Sequence, residues 1–323
     1  MMRVAELYGP VAEDVEQAAR IFGDELISDQ ALISDLCRHV GQFHGKMVRP
    51  ALLLLAGRAC GGVQPAHHVL AAVVEMVHIA TLVHDDVLDE ADIRRRAATV
   101  NRLWGNERAV LMGDFLISHA YHLCSSLDSQ YAARLIAQTT NTICEGEIMQ
   151  VANRDNYELA EDEYLDIISR KTAELIGTCC MLGAKFAGAD DVTVARLRQF
   201  GLSLGIAFQV IDDLLDLTGD EAEAGKSLGR DVCKGKLTLP LIHYLRENTP
   251  TQRTEMLAAL RSDEQLRWRR IGALLEGSES LEYAQQMANS YVNNALEIAS
   301  ALRPSEARDS LCAMAEFVLA RRY

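Results

Sequence analysis

Two short aspartate motifs with the same spacing stand out in the sequence, DDVLD at 85–89 and DDLLD at 212–216, each closing a strongly apolar segment. On a helix, the first and last carboxylates of such a motif lie on one face, about 6 Å apart along the axis. Carboxylate oxygens suit Mg²⁺, which takes one or two protein carboxylates and completes its shell with water and substrate phosphate oxygens. The motifs therefore predict magnesium sites for a polyphosphate ligand.

A solvated helix end is the simpler interpretation of either motif alone, since acidic helical pairs are common. Two matching motifs on core-like helices argue against it. Unpaired carboxylates beside apolar neighbours such as Val83 and Val210 would be strongly destabilising. Bound cations remove that penalty, so the pair of motifs favours metal binding.

Positive charge is concentrated near these motifs, although the chain is acidic, with a formal net charge of −14. Lysine and arginine bind phosphate oxygens through charge-assisted hydrogen bonds. Singly, each basic side chain is typical of a solvated surface. Together with the acidic motifs they indicate a polyanionic ligand; the three groups are GKMVRP at 45–50, Arg94-Arg95-Arg96, and Lys226 with Lys234 and Lys236.

Composition excludes several other classes of protein. A pI near 5.1 opposes binding to nucleic acid. The eight cysteines form no CxxC pair, which predicts reduced thiols in a cytoplasmic protein. The first twenty residues carry four acidic side chains, unlike a signal peptide. The apolar stretch 69–83 is interrupted by Glu75 and His78 and is too short for a bilayer, which predicts a helix buried in protein.

The elements that position these residues are predicted to be helices, because strand and hairpin signals are scarce. Pro50 and Gly61-Gly62 bracket one helix, and Pro65 begins a long one that reaches Asp89. Further helices are predicted over 107–124, 131–152, 161–187, 192–218 and 237–246, with three more toward residue 323. We expect an all-α fold, one large helical bundle forming a single domain over 1–323.

The sequence resembles the trans-isoprenyl diphosphate synthases, in particular bacterial octaprenyl-type enzymes that make quinone side chains. The motifs that carry the resemblance span nearly the whole chain: GKMVRP at 45–50, HIATLVHDDVLDEADIRRR at 78–96, GD at 113–114, EGEIMQ at 145–150, SRKTAEL at 169–175, FQVIDDLLD at 208–216, GKSLGRD at 225–231 and GKLTLP at 235–240. The resemblance implies an isoprenoid-synthase bundle with a central substrate cavity.

The resemblance also implies roles for particular residues. Asp85, Asp89 and Asp212 would hold two or three Mg²⁺ ions on the allylic diphosphate, with Asp213 and Asp216 as supporting metal ligands and Asp86 also in support. Arg94, Lys171, Lys226 and Lys236 would bind substrate, while Lys46, Arg49, His78 and Arg95 would bind the diphosphate of isopentenyl diphosphate. Thr172 and Gln209 would line the cavity where the carbocation forms. His78 lies two turns before Asp85, on the same helix face. The chain departs twice from the common Gly-Gly-Lys-Arg pattern, because His44 replaces the first glycine and Met47 replaces the arginine.

The expected chemistry is ionisation of the allylic diphosphate, condensation and elimination. Product length would depend on an apolar tunnel beneath the first motif, where Ala80 and Thr81 are small. In resembling short-chain enzymes a bulky residue there blocks the chain. We expect the tunnel to continue past Ala80 and to close near Tyr121, Leu123 or Cys124. The resemblance further implies a homodimer and peripheral membrane contact for product release.

Several alternatives remain open from the sequence. A terpene cyclase or head-to-head coupling enzyme would also use aspartate-rich helices, but class I cyclases carry a different second motif. A non-catalytic partner subunit would usually lose acidic motifs, and both are whole here. A shorter-chain synthase and a helical scaffold without ligand complete the list. The product could serve ubiquinone or menaquinone.

Overall fold

The computed structural model describes residues 4–43, 45–95, 97–219 and 229–321, and within these ranges the chain is almost entirely helical. A 3₁₀ helix, Val4–Val11, is followed by α1 Ala12–Glu25, α2 Ala31–Gly41, α3 Val48–Cys60, α4 Pro65–Leu88, α5 Val100–Trp104, α6 Asn106–Ser125, α7 Gln130–Ala152, α8 Glu161–Ile168, α9 Glu174–Phe186, α10 Asp191–Thr218, α11 Arg230–Cys233, α12 Leu239–Glu247, α13 Pro250–Leu260, α14 Glu264–Glu276, α15 Ser280–Ser300 and α16 Glu306–Ala320. The predicted all-α class is confirmed.

Extended structure in the described ranges is a single hairpin, β1 Ile93–Arg94 and β2 Ala97–Ala98. The strands are antiparallel, with Ile93 opposite Ala98. Arg95 lies in the connecting turn with a positive φ of 50°, a backbone conformation that residues other than glycine seldom adopt. The hairpin directly follows α4 and therefore places Arg94 and Arg95 near the first aspartate motif.

Most predicted helices are present, although α1, α2, α5 and α11 were not predicted and two predicted segments differ from the structure. The segment 161–187 is interrupted by a π-helical turn, Ser169–Ala173, between α8 and α9. Four helices follow α12 instead of the predicted three, because α13 ends in a turn at residues 261–263 that contains neither glycine nor proline. Turns without those residues leave no clear break in a helical pattern.

The ends of α3 and α4 follow directly from the local sequence. Gly61 has a φ of 150°, which ends α3 in a conformation that favours glycine. Pro65 is the first residue of α4, where its missing N–H group is not needed. The backbone N–H group of Gln64 donates to Nδ1 of His67 at 2.9 Å, which satisfies one donor at the helix start.

The described chain groups into two compact units, each assembled from three stretches of sequence. The first unit comprises Met1–Asn141, Leu175–Gly201 and Ile298–Met314, and the second comprises Thr142–Glu174, Leu202–Glu297 and Ala315–Tyr323. Neither unit is a contiguous segment. The single domain over 1–323 stays a prediction.

The first unit is built around α4, which packs against α1, α3 and α6. Leu52 to Leu55 of α3 are fully buried on every face, as expected for a central helix. By length and composition α4 could cross a membrane, but 72% of its most apolar window is buried inside the protein. A buried core helix can have the same length and apolar composition as a membrane-spanning helix. Because α4 is mostly buried, the prediction of a helix buried in protein is confirmed.

Glycines let α9 approach α3 closely in this unit. A Cβ atom on Gly183 would lie 2.1 Å from the carbonyl oxygen of Leu53. A Cβ atom on Gly57 would lie 2.6 Å from Nε2 of His67, whose ring donates to the carbonyl oxygen of Gly183 at 2.9 Å. Burial lowers the pKa of His67, so the ring is neutral and can serve as both donor and acceptor.

In the second unit, α12 packs against α8, α13 and α14, and α11 packs against α14. The apolar side chains of α12, including Leu239, Leu241 and Tyr244, are buried. All eight cysteines lie within the described ranges and none forms a disulfide, in line with the predicted free thiols.

The close approach at Gly183 generates a stability prediction. Gly183→Ala should destabilise the fold by about 1 to 3 kcal/mol, because backbone atoms of α3 must move to admit the methyl group. Gly272→Ala in α14 is the matched control, since its Cβ atom meets nothing within 4 Å. It should be stabilising by up to about 1 kcal/mol. Urea unfolding measures both, and equal effects would contradict the close packing.

Candidate active site

The first aspartate motif stands at the C-terminal end of α4. Asp85 and Asp86 belong to the last turn and Asp89 is the C-cap residue. The backbone N–H group of Asp89 donates to the carbonyl oxygen of Asp85 at 2.8 Å, which keeps the helical turn intact. Asp85 and Asp89 are partly exposed, whereas Asp86 is 1% exposed. The motif thus presents its first and last carboxylates together, as the spacing predicted.

These carboxylates have a donor set that fits a divalent cation. The C-terminal end of a helix carries partial negative charge, so two aspartates there are unfavourable until a cation joins them. Within the described ranges, no group of three histidine, cysteine or acidic side chains could hold a metal ion alone. Mg²⁺ does not require such a group, because waters and phosphate oxygens supply most of its ligands.

Asp86 has a different environment from its neighbours in the motif. Its Oδ1 accepts a hydrogen bond from Nε of Arg94 at 2.8 Å. Nδ2 of Asn101 donates to the carbonyl oxygens of Asp86 at 3.3 Å and Ala91 at 3.1 Å, which connects α5 to the end of α4. Asp86 therefore orients the guanidinium of Arg94; this geometry does not favour direct contact of Asp86 with substrate.

The predicted diphosphate-binding residue His78 lies close enough to three predicted arginines for their charges to affect its pKa. Burial lowers the pKa of His78 well below its ordinary value, and the charges of Arg49, Arg95 and Arg94 lower it further. His78 is therefore neutral and can donate a hydrogen bond without adding charge. The structure brings these four predicted residues together.

Glu75 is a buried carboxylate that balances two of these arginines. Burial raises its pKa, while the charges of Arg49 and Arg95 lower it. Burial in turn lowers the pKa of both guanidinium groups, and Glu75 opposes that shift. The sequence showed Glu75 only as an interruption of an apolar stretch. Its isolation among apolar residues, where a charge requires a partner, was the available signal.

The loop before α3 completes this region. A Cβ atom on Gly45 would lie 2.5 Å from the guanidinium of Arg95, so glycine makes room for that side chain. Arg95 donates to the carbonyl oxygen of Phe43. Tyr8 donates to the carbonyl oxygen of Lys46 at 2.6 Å, and the Lys46 side chain is exposed. Nε of Arg49 is buried without an acceptor among the described residues, which suits a ligand that brings oxygen atoms.

The second aspartate motif lies near the end of α10 and exposes only its first member. The side chain of Asp212 is 38% exposed. Asp216 is buried and its Oδ2 accepts a hydrogen bond from the backbone N–H group of Asp231 at 3.0 Å, which fixes the start of α11. Metal ligation by Asp216 stays a prediction that this burial does not favour.

Asp213 is also buried, at the centre of a hydrogen-bonded chain. Its Oδ2 accepts from the hydroxyl of Tyr164 at 2.6 Å and its Oδ1 from Nε2 of Gln209 at 2.8 Å. Gln209 Oε1 in turn accepts from the hydroxyl of Thr172 at 3.0 Å. Burial and the charge of Asp231 raise the pKa of Asp213 well above its ordinary value. Asp213 therefore orients Gln209 and Thr172; the predicted metal ligation is not favoured here.

Lys171 lies in the π-helical turn, a departure from regular helix that occurs often at functional sites. Its Nζ donates to Oε1 of Gln150 at 2.8 Å and also pairs with Glu147, both on α7. A Cβ atom on Gly146 would lie 2.6 Å from the backbone nitrogen of Lys171, so glycine permits this close packing. The motif EGEIMQ thus positions Lys171.

A cavity of about 40 Å³ opens beside these residues within the second unit. Its polar lining includes Gln150, Gln209, Asp213, Asp231 and Lys236. A water molecule needs roughly 10 to 15 Å³ of such volume, so the cavity has room for about three or four. Lys236 and the predicted residues Gln209 and Asp213 therefore line one cavity.

Other residues in the site were not predicted. Tyr164, Glu147, Gln150 and Asp231 act through hydrogen bonds or charges between segments that are distant in sequence, which a local pattern does not reveal. The predicted Lys226 lies outside the described residues, as do His44 and Arg96.

The predicted chain-length residues lie on α4 and α6, which pack together. Ala80 is fully buried, and the hydroxyl of Thr81 donates to the carbonyl oxygen of His78 at 2.7 Å. On α6, Leu123 and Cys124 are buried, whereas Tyr121 is 37% exposed. Burial favours Leu123 and Cys124 over Tyr121 as the floor of a tunnel.

An all-α chain whose core helices end in aspartate motifs, with arginine and lysine held beside them, defines a helical synthase of the isoprenyl diphosphate type. The polyprenyl synthetase family matches residues 30–271. The chain is 34% identical to octaprenyl diphosphate synthase of Escherichia coli over 324 residues, 99% of each protein. The chain belongs to the polyprenyl synthetase family and is a prenyltransferase, as the resemblance predicted.

Solved structures share this fold. A decaprenyl diphosphate synthase from Rhodobacter capsulatus has a TM-score of 0.93 and 32% identity, covering 99% of this chain and all of that one. A polyprenyl synthase from Caulobacter crescentus, complexed with calcium and isoprenyl diphosphate, has a TM-score of 0.92 and 34% identity, covering 99% and 98%.

The contrast between Asp86 and Asp85 generates a prediction. Asp86→Asn should be destabilising by about 1 to 3 kcal/mol, because Arg94 loses a buried charged partner. Asp85→Asn should change stability by no more than about 0.5 kcal/mol, because it removes a partly exposed negative charge from a helix C-terminus. Urea unfolding in EDTA measures both. Equal losses would contradict the distinct roles.

Proposed function

We propose that this chain is a long-chain trans-polyprenyl diphosphate synthase that condenses isopentenyl diphosphate head to tail onto an allylic diphosphate, with farnesyl diphosphate as primer. The observation that carries the proposal is the pairing of Asp85 and Asp89 with an arginine and histidine cluster in the same unit. Asp85 and Asp89 supply oxygen ligands for a metal ion, and His78 with its neighbouring arginines supplies hydrogen-bond donors for a diphosphate.

Asp85, Asp89 and Asp212 are proposed to hold two or three Mg²⁺ ions together with the allylic diphosphate. When bound, Mg²⁺ supplies Lewis-acid stabilisation of the charge that grows on the departing diphosphate. Arg94 is held by Asp86 and adds a fixed positive charge that needs no rearrangement during reaction. The three proposed ligand carboxylates are partly exposed, whereas Asp86, Asp213 and Asp216 are buried. This difference supports the assignment of metal binding to the first three.

Lys46, Arg49, His78 and Arg95 are proposed to bind the diphosphate of isopentenyl diphosphate. The neutral ring of His78 can donate a hydrogen bond to an oxyanion, and Glu75 keeps the two arginines from repelling one another before substrate arrives. Met47 has no charge to offer, so the nearby cations carry this binding in the present chain.

Lys171, Lys226 and Lys236 are proposed to complete substrate binding, with Thr172 and Gln209 near the developing carbocation. The hydrogen-bonded chain from Tyr164 to Thr172 holds amide and hydroxyl dipoles in fixed directions. Fixed dipoles stabilise developing charge more effectively than mobile water. The departing diphosphate is proposed to accept the final proton.

A long product is proposed because nothing bulky stands at Ala80 or Thr81 on α4. Cys124 lies eleven residues beyond Gly113 on α6, about 16 Å of helix. Gly113 itself faces the ring of His84 at the upper end of α4. A floor at Leu123 or Cys124 would therefore lie several helical turns below the first motif. The octaprenyl length itself, for ubiquinone or menaquinone, is proposed from the likeness to octaprenyl diphosphate synthase.

We further propose a cytoplasmic homodimer with peripheral membrane contact for product release. Val110 and Leu111 of α6 are exposed apolar side chains, and a second copy could cover them. Two alternatives to a long-chain synthase are a synthase with a shorter product, geranylgeranyl or farnesyl diphosphate, and a non-catalytic partner subunit. A product assay separates them.

The test is incubation of the purified protein with farnesyl diphosphate, labelled isopentenyl diphosphate and Mg²⁺, followed by sizing of the prenyl products. We expect Mg²⁺-dependent incorporation and a long product. Asp85→Asn should reduce turnover at least about a hundredfold with the fold intact, because a ligand carboxylate is lost. Folded protein that incorporates no label with any allylic primer would end the proposal, and near-normal turnover of the variant would end the metal assignment.

Product length has its own prediction. Ala80→Phe should shorten the product, because an aromatic ring would fill space beneath the first motif. The substitution is also expected to be destabilising by about 1 to 3 kcal/mol through overpacking, so thermal unfolding must accompany product analysis. Tyr121→Ala is the control, since that exposed side chain should leave length unchanged. An unaltered product from folded Ala80→Phe would refute the tunnel beneath Asp85.

A further inference from the structure

The residue after α16, Arg321, contacts the second aspartate motif. Its Nη2 donates to Oδ1 of Asp212 at 3.0 Å, and both residues belong to the second unit. The side chain of Arg321 is 15% exposed, so the guanidinium is largely withdrawn from solvent. The chain thus places a fixed cation on the one carboxylate of this motif that is proposed to bind metal.

An aromatic ring holds the guanidinium in this position. The guanidinium carbon of Arg321 lies 4.1 Å from the centroid of Phe208, within the range of a cation–π contact. Phe208 precedes Asp212 by four residues and so lies on the same face of α10. One helix face therefore supplies both the ring and the carboxylate that hold Arg321.

The ion pair is incomplete, which makes it exchangeable. Nη1 of Arg321 is buried with no acceptor among the residues that the structure describes. A buried donor without an acceptor is destabilising, so part of the gain from the ion pair is cancelled. Because Asp212 is also partly exposed, the pair is weak enough for a competing cation to replace it.

The local negative charge explains why Arg321 pairs with Asp212 in the metal-free protein. Asp212 lies beside the buried carboxyl groups of Asp213 and Asp216 near the C-terminal end of α10, where the helix itself carries partial negative charge. A guanidinium on Asp212 offsets part of that charge. A divalent cation on the same carboxylate would repel the guanidinium, so the two cations compete for Asp212.

We propose that Arg321 is an internal counter-ion that pairs with Asp212 in the metal-free protein and is displaced when a divalent cation binds. The inference depends on the proposed role of Asp212 as a metal ligand. Arg321 is thus a positioning residue: it holds the Asp212 carboxylate in place, and it lowers the apparent affinity for metal by the free energy needed to break the pair.

The test is direct binding of Mn²⁺, which accepts the same oxygen ligands as Mg²⁺ and whose free form is counted by electron paramagnetic resonance. Arg321→Gln should bind Mn²⁺ about threefold to tenfold more tightly than the unaltered protein. Arg321→Lys keeps the charge and should bind nearly as the unaltered protein does. Arg246→Gln, which removes an exposed arginine paired with Glu161 in the same unit, is the matched control and should change nothing.

A double substitution shows whether the effect passes through Asp212. In an Asp212→Asn background, Arg321→Gln should leave the remaining Mn²⁺ binding unchanged. Weaker or unaltered binding by Arg321→Gln alone would overturn the counter-ion role, since a purely structural contact predicts one of those results. Failure of the unaltered protein to bind Mn²⁺ would overturn this inference, whereas the proposed metal site fails only if turnover does not depend on Mg²⁺ or on Asp85, so the two failures are distinguished.

Discussion

Carboxylates at the C-terminal ends of buried helices are the constraint on which the site depends. Each helix end already carries partial negative charge, and the aspartates of both motifs add to it. Such an arrangement is stable only if cations are close. In the first unit the buried member, Asp86, has Arg94, and in the second the exposed member, Asp212, has Arg321. Each acidic motif therefore has a basic residue beside it before substrate arrives.

The same reasoning explains why the basic residues are themselves held by acids. Arg49 and Arg95 are near Glu75 inside the first unit, and Lys171 pairs with Glu147 in the second. A cation fixed in this way is already desolvated and oriented when a diphosphate arrives. At the end of α4, Asp85 and Asp89 are partly exposed, whereas Asp86 is buried.

Helical spacing predicted the first motif better than the second. Four residues separate both Asp85 from Asp89 and Asp212 from Asp216, yet only the first pair is jointly exposed. Asp216 is buried because the backbone of Asp231 donates to it, and that partner lies fifteen residues further on. Periodicity describes one helix and carries no information on which loop covers its end. Proline and glycine, by contrast, located the start of α4 and the end of α3 correctly.

Two helices missing from the prediction, α1 and α2, share a physical cause. The N-cap residues of α1 and α2 are Val11 and Gln30, and neither side chain accepts a capping hydrogen bond. Helix starts without serine, threonine, aspartate or asparagine caps give no local signal, so tertiary packing alone stabilises these ends. Site residues that act through distant partners, such as Tyr164 on Asp213, follow the same rule. Sequence reveals the residues that bind ligand by their own chemistry, whereas those that orient them are defined only once the helices pack.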